Sequence, residues 1–386
     1  MQLAALVLAA CAAVGVLVGL AGLLAVSRFV ARPRRRSAER PAVTILRPLC
    51  GDEPLLEASL DSLCTQTWPA FQIVLGVHDA ADPALGAARR LQARYPAREI
   101  VVVVDAALHG PNRKISNLIN MLPAARHDTL VFSDSDLQVP PDYLEQLAAA
   151  LAEPGTGLVT TLCTGYPARA GLAAQLAAAQ INHSFLPGVL LARALRRQDC
   201  LGTTMALRRA TLLRAGGLAG LACHLADDNV LGQRVRALGL QVRLADTISA
   251  ATIPETAFAA VWRHELRWAR TIARLQPIGF AGSLLQFPLV WSGLACAASG
   301  AAVWSLALFG TVWALRAGAS LAIDRMLRAR FGVRCPAVMP WLLPLRDLLS
   351  VLEIGAAFCG RRVVWRGHYF DGGAVAAPAA APRPSG

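Results

Sequence analysis

Lysine is nearly missing from this chain: Lys114 is the single one among 38 basic residues, and only 16% of the 386 positions are charged. With 55% hydrophobic residues, that scarcity of charge excludes an ordinary soluble domain and predicts membrane segments. The nine cysteines include no C-x-x-C pair, so neither structural zinc nor a disulfide framework is implied; they read as small buried thiols in a reducing compartment. Nucleic-acid motifs and internal repeats are also lacking. The net charge of +13 therefore points to anionic lipid or nucleotide phosphate as partner, and not to nucleic acid.

What is present divides the chain. Leu3 to Val26 carries no charge and is long enough to cross a hydrocarbon core of about 30 Å as a helix. Arg28, Arg32, Arg34, Arg35, Arg36 and Arg40 follow it, where a cleavable signal peptide would have its charge in front. The expectation is a retained anchor (1–27) with its N-terminus outside, then a basic linker (28–42) that begins the cytoplasmic part. From 43 to 253 short β-type runs alternate with helical ones; Val43–Leu46, Gln72–Val77, Ile100–Val104, Leu130–Ser133 and Gly157–Leu162 read as strands of a largely parallel, helix-covered sheet. Such sheets bind ligands at the carboxyl ends of their strands.

Residues 254–279 read as an amphipathic interface helix, with Phe258, Val261, Trp262, Leu266, Trp268 and Ile272 recurring among Arg263, Arg267, Arg270 and Arg274. Residues 280–360 read as spanning or re-entrant helices, with Leu284–Gly300, Ala301–Leu321 and Pro340–Phe358 as candidates, and 361–386 as a cytoplasmic or disordered tail.

The chemistry concentrates after the strands. Leu130–Ser133 ends in Asp134-Ser135-Asp136; two carboxylates at i and i+2 can approach one hard cation that also takes diphosphate oxygens, although solvated turn aspartates use the same spacing. Asp227-Asp228 opens a helical stretch, where one acid would suffice as a cap. Asp79 and Asp82 follow another strand; they suit a uracil N–H or a turn before Pro83. Lys114, in a Gly/Pro/Asn loop, offers a compact charge to phosphate. Arg267 and Trp268, on the amphipathic helix, offer a bidentate anion ligand and an aromatic face, or an interfacial anchor.

In order, Asp82, Lys114, Asp134, Asp228 and Arg267-Trp268 resemble the D, D, D, (Q/R)-x-x-R-W series of GT-A glycosyltransferases. The resemblance is to the ceramide glucosyltransferase family and, most closely, its bacterial hopanoid-associated relatives. It extends through Leu46-Arg-Pro-Leu-Cys-Gly51, Gly202-Thr-Thr-Met205, Ala215-Gly-Gly217, Arg346-Asp347 and Trp365-Arg-Gly367. His264 replaces Gln or Arg at the first position of the last motif, and Asp136 is acidic where ceramide enzymes tend not to be.

The resemblance implies an α/β GT-A-type catalytic domain between an N-terminal transmembrane helix and C-terminal membrane helices. Asp79, Asp82, Lys114, Asp134 and His183 would hold a UDP-sugar, with Mg²⁺ or Mn²⁺ on Asp134 and Asp136. Asp228 would be the base, and Arg267 and Trp268 would complete the site. The implied reaction is an inverting transfer, with UDP-N-acetylglucosamine as expected donor and a hopanoid tetrol as expected acceptor, on the cytoplasmic face of a bacterial inner membrane. Rivals are a ceramide glucosyltransferase using UDP-glucose, a processive polysaccharide synthase and an inactive membrane scaffold. Few candidate spans follow the domain, against a synthase channel; retention of Asp134, Asp136, Asp228 and Arg267 together speaks against a scaffold.

Overall fold

The computed structural model describes residues 2–333, 336, 339–360, 362–365 and 368–371. The expected disordered tail, Ala374 to Gly386, and the Arg-Gly pair at 366–367 lie outside the described residues.

Helix α1 (Gln2–Val30) leads into β1 (Val43–Pro48), α2 (Leu56–Cys64), β2 (Phe71–Val77), α3 (Pro83–Arg94) and β3 (Glu99–Val104). Then come α4 (Arg113–Met121), β4 (Thr129–Ser133), β5 (Leu137–Gln138), α5 (Tyr143–Leu151), β6 (Thr156–Pro167) and α6 (Leu172–Gln180). One π-helical turn, Ile181–Phe185, joins α6 to α7 (Leu186–Ala194). The domain closes with β7 (Thr204–Arg208), α8 (Arg209–Arg214), α9 (Asp227–Ala237) and β8 (Gln241–Ile253). Beyond it lie α10 (Phe258–Leu275), α11 (Pro277–Gly282), α12 (Pro288–Ala298), α13 (Val303–Phe331), α14 (Leu343–Phe358) and a hairpin of β9 (Arg362–Trp365) and β10 (His368–Asp371).

The five strands read from the sequence are all present. The sheet they enter is mixed, with order β3-β2-β1-β4-β7-β6-β8-β5. Its first half is parallel, as expected; β7 runs antiparallel to both β4 and β6, while β6 and β8 pair in parallel. The correction has a local cause. β7 (Thr-Met-Ala-Leu-Arg) is short, follows the turn at Gly202 and runs straight into α8, so its pattern does not announce its direction. β1, β2 and β4 are buried along nearly their whole length, the mark of strands covered on both faces. One apolar layer packs under α2, α3, α5 and α6, and the opposite one under α4, α8 and α9.

Among the described residues two helices are long and apolar enough to cross a membrane, α1 and α13, each 29 residues. A third candidate is the pair Pro277–Gln286 and Pro288–Ala298, bent by 65° at its break. At 1.5 Å per residue α14 reaches only about 24 Å, and it buries Arg346, Asp347 and Glu353. Its polar side chains turn toward protein while Leu348, Leu352 and Phe358 are exposed, at the place where the sequence suggested a spanning or re-entrant segment. Val26 and Phe29 of α1 share a cluster with Leu186 and Leu190 of α7 and Ile323 and Leu327 of α13, which joins the apolar helices to the sheet domain.

Candidate active site

The carboxyl ends of β1, β2 and β4 open into a cavity of about 1380 Å³. Pro48 to Cys50 follow β1 into its wall, His78 to Asp82 follow β2, and Asp134 to Asp136 follow β4. From the other side α9 contributes Asp227 and Asp228, and α10 contributes Arg267 and Trp268. Of the residues singled out in the sequence, Asp79, Asp82, Lys114, Asp134, Asp136, Asp228, Arg267 and Trp268 all line this cavity.

His183 does not line it. It is buried in the π-helical turn, with Nε2 2.8 Å from Asp324 Oδ1 of α13. Its turn neighbours Ile181 and Phe185 face the cavity, while His183 faces the apolar helices; the expected donor contact is replaced by a tie to α13.

The loop after β4 is built by hydrogen bonds. Asp134 N donates to Thr203 O at 3.1 Å, and Asp136 O accepts from Thr252 N at 3.0 Å. Beneath it Arg47 of β1 is fully buried, donating Nη2 to Ser133 Oγ at 2.7 Å and Nη1 to Leu137 O at 3.1 Å. Burial lowers the Arg47 pKa to about 10, against the pull of nearby carboxylates that include Asp136 and Asp134, so it remains a fixed cation under the two aspartates. The sequence signal was available: an arginine inside a strand otherwise built for the core.

Lys114 lies in the first turn of α4. Its Nζ is 2.6 Å from Asp134 Oδ1 and 3.3 Å from Gly202 O. Burial opposes the lysine charge, but Asp134 and Asp227 outweigh it and raise the pKa. Asn112, the N-cap of α4, accepts from Ile115 N at 3.1 Å and donates Nδ2 to Asp227 Oδ1 at 3.2 Å. The start of α4 thus bridges both acidic clusters, and Asn112 was not singled out from the sequence.

Asp227 and Asp228 begin α9, whose N-cap is Ala226 with no side-chain cap. The capping role considered for Asp227 is therefore not the one it plays. Its Oδ2 is buried without a hydrogen-bond partner, and burial raises its pKa although Lys114 pulls the other way. Asp228 Oδ1 accepts from Asn229 N at 2.8 Å; burial and then the Asp227 charge raise its pKa to about 7. Asp136 is likewise raised to about 7, first by burial, then by Asp134 and Glu53. A Cβ on Gly202 would stand 2.9 Å from Asp228 Oδ2, so only glycine lets β7's approach lie this close to that carboxylate.

Asp79 and Asp82 carry the turn roles that competed with ligand binding. Asp82 caps α3 by accepting from Ala84 N at 2.9 Å and also accepts from Gly51 N at 2.8 Å; Asp79 accepts from Ala81 N at 2.9 Å. On α10, His264 hydrogen-bonds Glu255 and packs edge-on against Trp268, with ring centroids 4.5 Å apart. The indole remains 43% exposed. His264 thus fixes the tryptophan, which explains how histidine serves at that position.

A divalent cation fits these residues. Asp134 and Asp136 supply hard carboxylate oxygens at the cavity surface, and the unpartnered Oδ2 of Asp227 adds buried negative charge nearby. Among the described residues no group of three or more His, Cys, Asp or Glu side chains converges on one point. An ion of the Mg²⁺ type takes one or two carboxylates and completes its shell with phosphate and water.

A ceramide glucosyltransferase of Komagataella phaffii is 33% identical over 113 residues, 28% of this chain and 22% of that protein. Ceramide glucosyltransferase 1 of Caenorhabditis elegans is 20% identical over 237 residues, 61% of this chain and 51% of its own length. The chain thus spans about half, or less, of these relatives. Among solved structures, a mannosyltransferase of Pyrobaculum calidifontis, in complex with GDP-mannose and Mn²⁺, superposes with a TM-score of 0.49 at 19% identity, over 90% of this chain and 98% of that one. The sequence model of glycosyl transferase family 21 matches residues 7–373, nearly the whole length, and the chain belongs to that family.

Proposed function

We propose that this protein is a membrane-bound inverting glycosyltransferase that moves a sugar from a UDP-sugar to a hydroxyl of a membrane lipid. The observation that carries the reading is the composition of the cavity at the strand ends. It is lined by Lys114, Asp134, Asp136, Asp227 and Asp228, from the end of β4 and the starts of α4 and α9, and also by Phe185, Val189, Phe280 and Phe287 from the elements around α7, α11 and α12. A nucleotide diphosphate belongs at the charged group and a lipid at the apolar one.

Asp134 and Asp136 would hold a divalent cation, which when bound neutralises the departing diphosphate. Lys114 and Arg267 line the same cavity and would supply further positive charge to the diphosphate. Asp228 accepts the proton of the acceptor hydroxyl as its oxygen bonds to the anomeric carbon; the bond from that carbon to the diphosphate breaks, and UDP leaves with the electron pair. A pKa near 7 suits a base that must be ionised yet still take a proton. Trp268 presents its exposed indole to sugar or acceptor. The ceramide glucosyltransferase relatives support a lipid acceptor; the departures at His264 and Asp136 favour the hopanoid branch, with UDP-N-acetylglucosamine as donor, at the inner face of a bacterial membrane.

The test uses purified full-length protein in detergent with UDP-glucose or UDP-N-acetylglucosamine and either a ceramide or a hopanoid tetrol, products being identified by mass. One sugar on the tetrol is the expected result. Transfer to ceramide alone reassigns the acceptor, polymer product reassigns the protein to a synthase, and no UDP release with any lipid overturns the enzyme reading.

A further inference from the structure

We infer that a second polar patch in the cavity, formed by Gln180, Glu265, Ser350 and Glu353 over Arg346, binds an uncharged hydrogen-bonding group of the acceptor other than the hydroxyl that is glycosylated. The inference rests on the lipid-acceptor reading above and deepens it.

Arg346 of α14 is 1% exposed and sits behind the patch. Its Nη1 donates to both oxygens of Glu265, at 3.2 and 2.9 Å, and its Nη2 to Glu353 Oε1 at 2.9 Å. Its Nε donates to Ser350 Oγ at 3.3 Å, and Ser350 Oγ donates to Gln180 Oε1 at 3.0 Å. Gln180, Glu265, Ser350 and Glu353 all face the same cavity as Asp134 and Asp228, but from α6, α10 and α14 and not from the strand ends. Gln180, whose carbonyl is engaged by Ser350, lines the cavity and carries two further amide N–H donors.

The charge balance selects the ligand. One guanidinium faces two carboxylates, so the patch carries −1 with both ionised and zero with one proton between them. Burial, and then the hydrogen bond with Glu353, raises the Glu265 pKa above the ordinary carboxylate range, which favours the neutral state. A patch that is neutral or negative, and rich in both donors and acceptors, takes hydroxyl or amide groups and gives phosphate no free cation. Ile354, Phe280 and Phe287 share the wall, so a polar group here belongs to a molecule that is otherwise apolar. A purely structural ion triad gains little over packed hydrophobic residues of the same volume. One opening into a cavity also gives hydrogen bonds to a ligand.

Gln180→Leu and Glu353→Gln test this in full-length protein reconstituted in nanodiscs. Gln180→Leu leaves the Arg346 ion pairs in place, so it reports even if Glu353→Gln folds poorly. The acceptors are two uncharged lipids sharing one apolar anchor, one with a single hydroxyl and one with additional hydroxyl groups, together with phosphatidylglycerol. Wild type should prefer the polyhydroxylated lipid and reject phosphatidylglycerol. Gln180→Leu should reduce that preference in kcat/KM at least tenfold, about 1.4 kcal/mol, through KM, while the Kd for UDP stays within twofold. An unchanged preference, or an equal loss on both uncharged lipids, overturns the patch. Transfer by wild type to none of the lipids, with UDP still bound, sinks the underlying lipid-acceptor reading instead.

Discussion

Lys114 Nζ lies 2.6 Å from Asp134 Oδ1, so the only lysine of the chain is the counter-ion of the first aspartate in its acidic motif. Asp227 and Asp228 also contribute to raising its pKa, and one ammonium therefore stands between two acidic clusters that come from distant parts of the sequence.

Removing that charge should weaken the site and the fold together. Lys114→Ala is expected to raise the Kd for UDP about tenfold and to lower Tm by several degrees at pH 8, in chelator. The Tm deficit should narrow at pH 6, where Asp136 and Asp228, both raised to about 7, are largely protonated and repel less. Calorimetric melting at the two pH values checks it; a deficit independent of pH would assign Lys114 to packing.

Asp228→Asn removes a basic carboxylate with little change of volume and should lower kcat at least about 10²-fold, with UDP affinity near normal. The wild-type kcat should fall as pH drops through about 7, since the base acts only when deprotonated. The stability sign is opposite. A carboxyl whose folded pKa is raised favours the fold below its ordinary pKa of about 4 and loses that contribution as pH rises through about 7. Asp228→Asn should therefore melt no lower than wild type at pH 8. Asp227→Asn, made beside it, should retain more activity; the reverse order would move the base to Asp227.

Gly202→Ala puts a methyl 2.9 Å from Asp228 Oδ2. It should cost at least about tenfold in kcat by displacing the carboxylate, with a stability loss of the usual 1–3 kcal/mol for overpacking. Steady-state kinetics and denaturant melting separate the two effects. Wild-type kcat in this variant would show that Asp228 is not required in its present position.

Chelation should abolish turnover and Mg²⁺ or Mn²⁺ restore it, while Asp136→Asn should weaken Mn²⁺ binding measured directly by paramagnetic resonance in the presence of UDP. Full turnover in chelator would remove the cation from the reading.

Arg47→Met tests the support under the acidic loop. Losing a buried guanidinium that ties Ser133 to Leu137 leaves buried acceptors unpaired and should lower stability by about 1–3 kcal/mol, and Arg47→Lys should recover only part because lysine cannot reach both partners as a fork. A neutral Arg47→Met would mean the loop holds itself.

How much was legible follows from the range over which each signal acts. Strand periodicity, the uncharged stretch of α1 and the carboxylates at the end of β4 are local patterns, so the five strands, the long apolar N-terminal helix and most cavity residues could be read directly. The direction of β7 was not, because an antiparallel return depends on which neighbours accept its hydrogen bonds. Asp82 and His183 show the other limit: a turn cap and a ligand use the same side chain, and a histidine two positions from cavity-lining residues can point into the cavity or away from it. By itself the sequence determined the composition of the site and the order of its motifs along the chain. Only the tertiary structure decided that Lys114 neutralises Asp134, that Arg47 lies beneath the loop and that Arg346 gathers Glu265 and Glu353. Those are contacts between residues 20 to 86 positions apart or within one helix, and burial, not spacing, fixes which charges must meet.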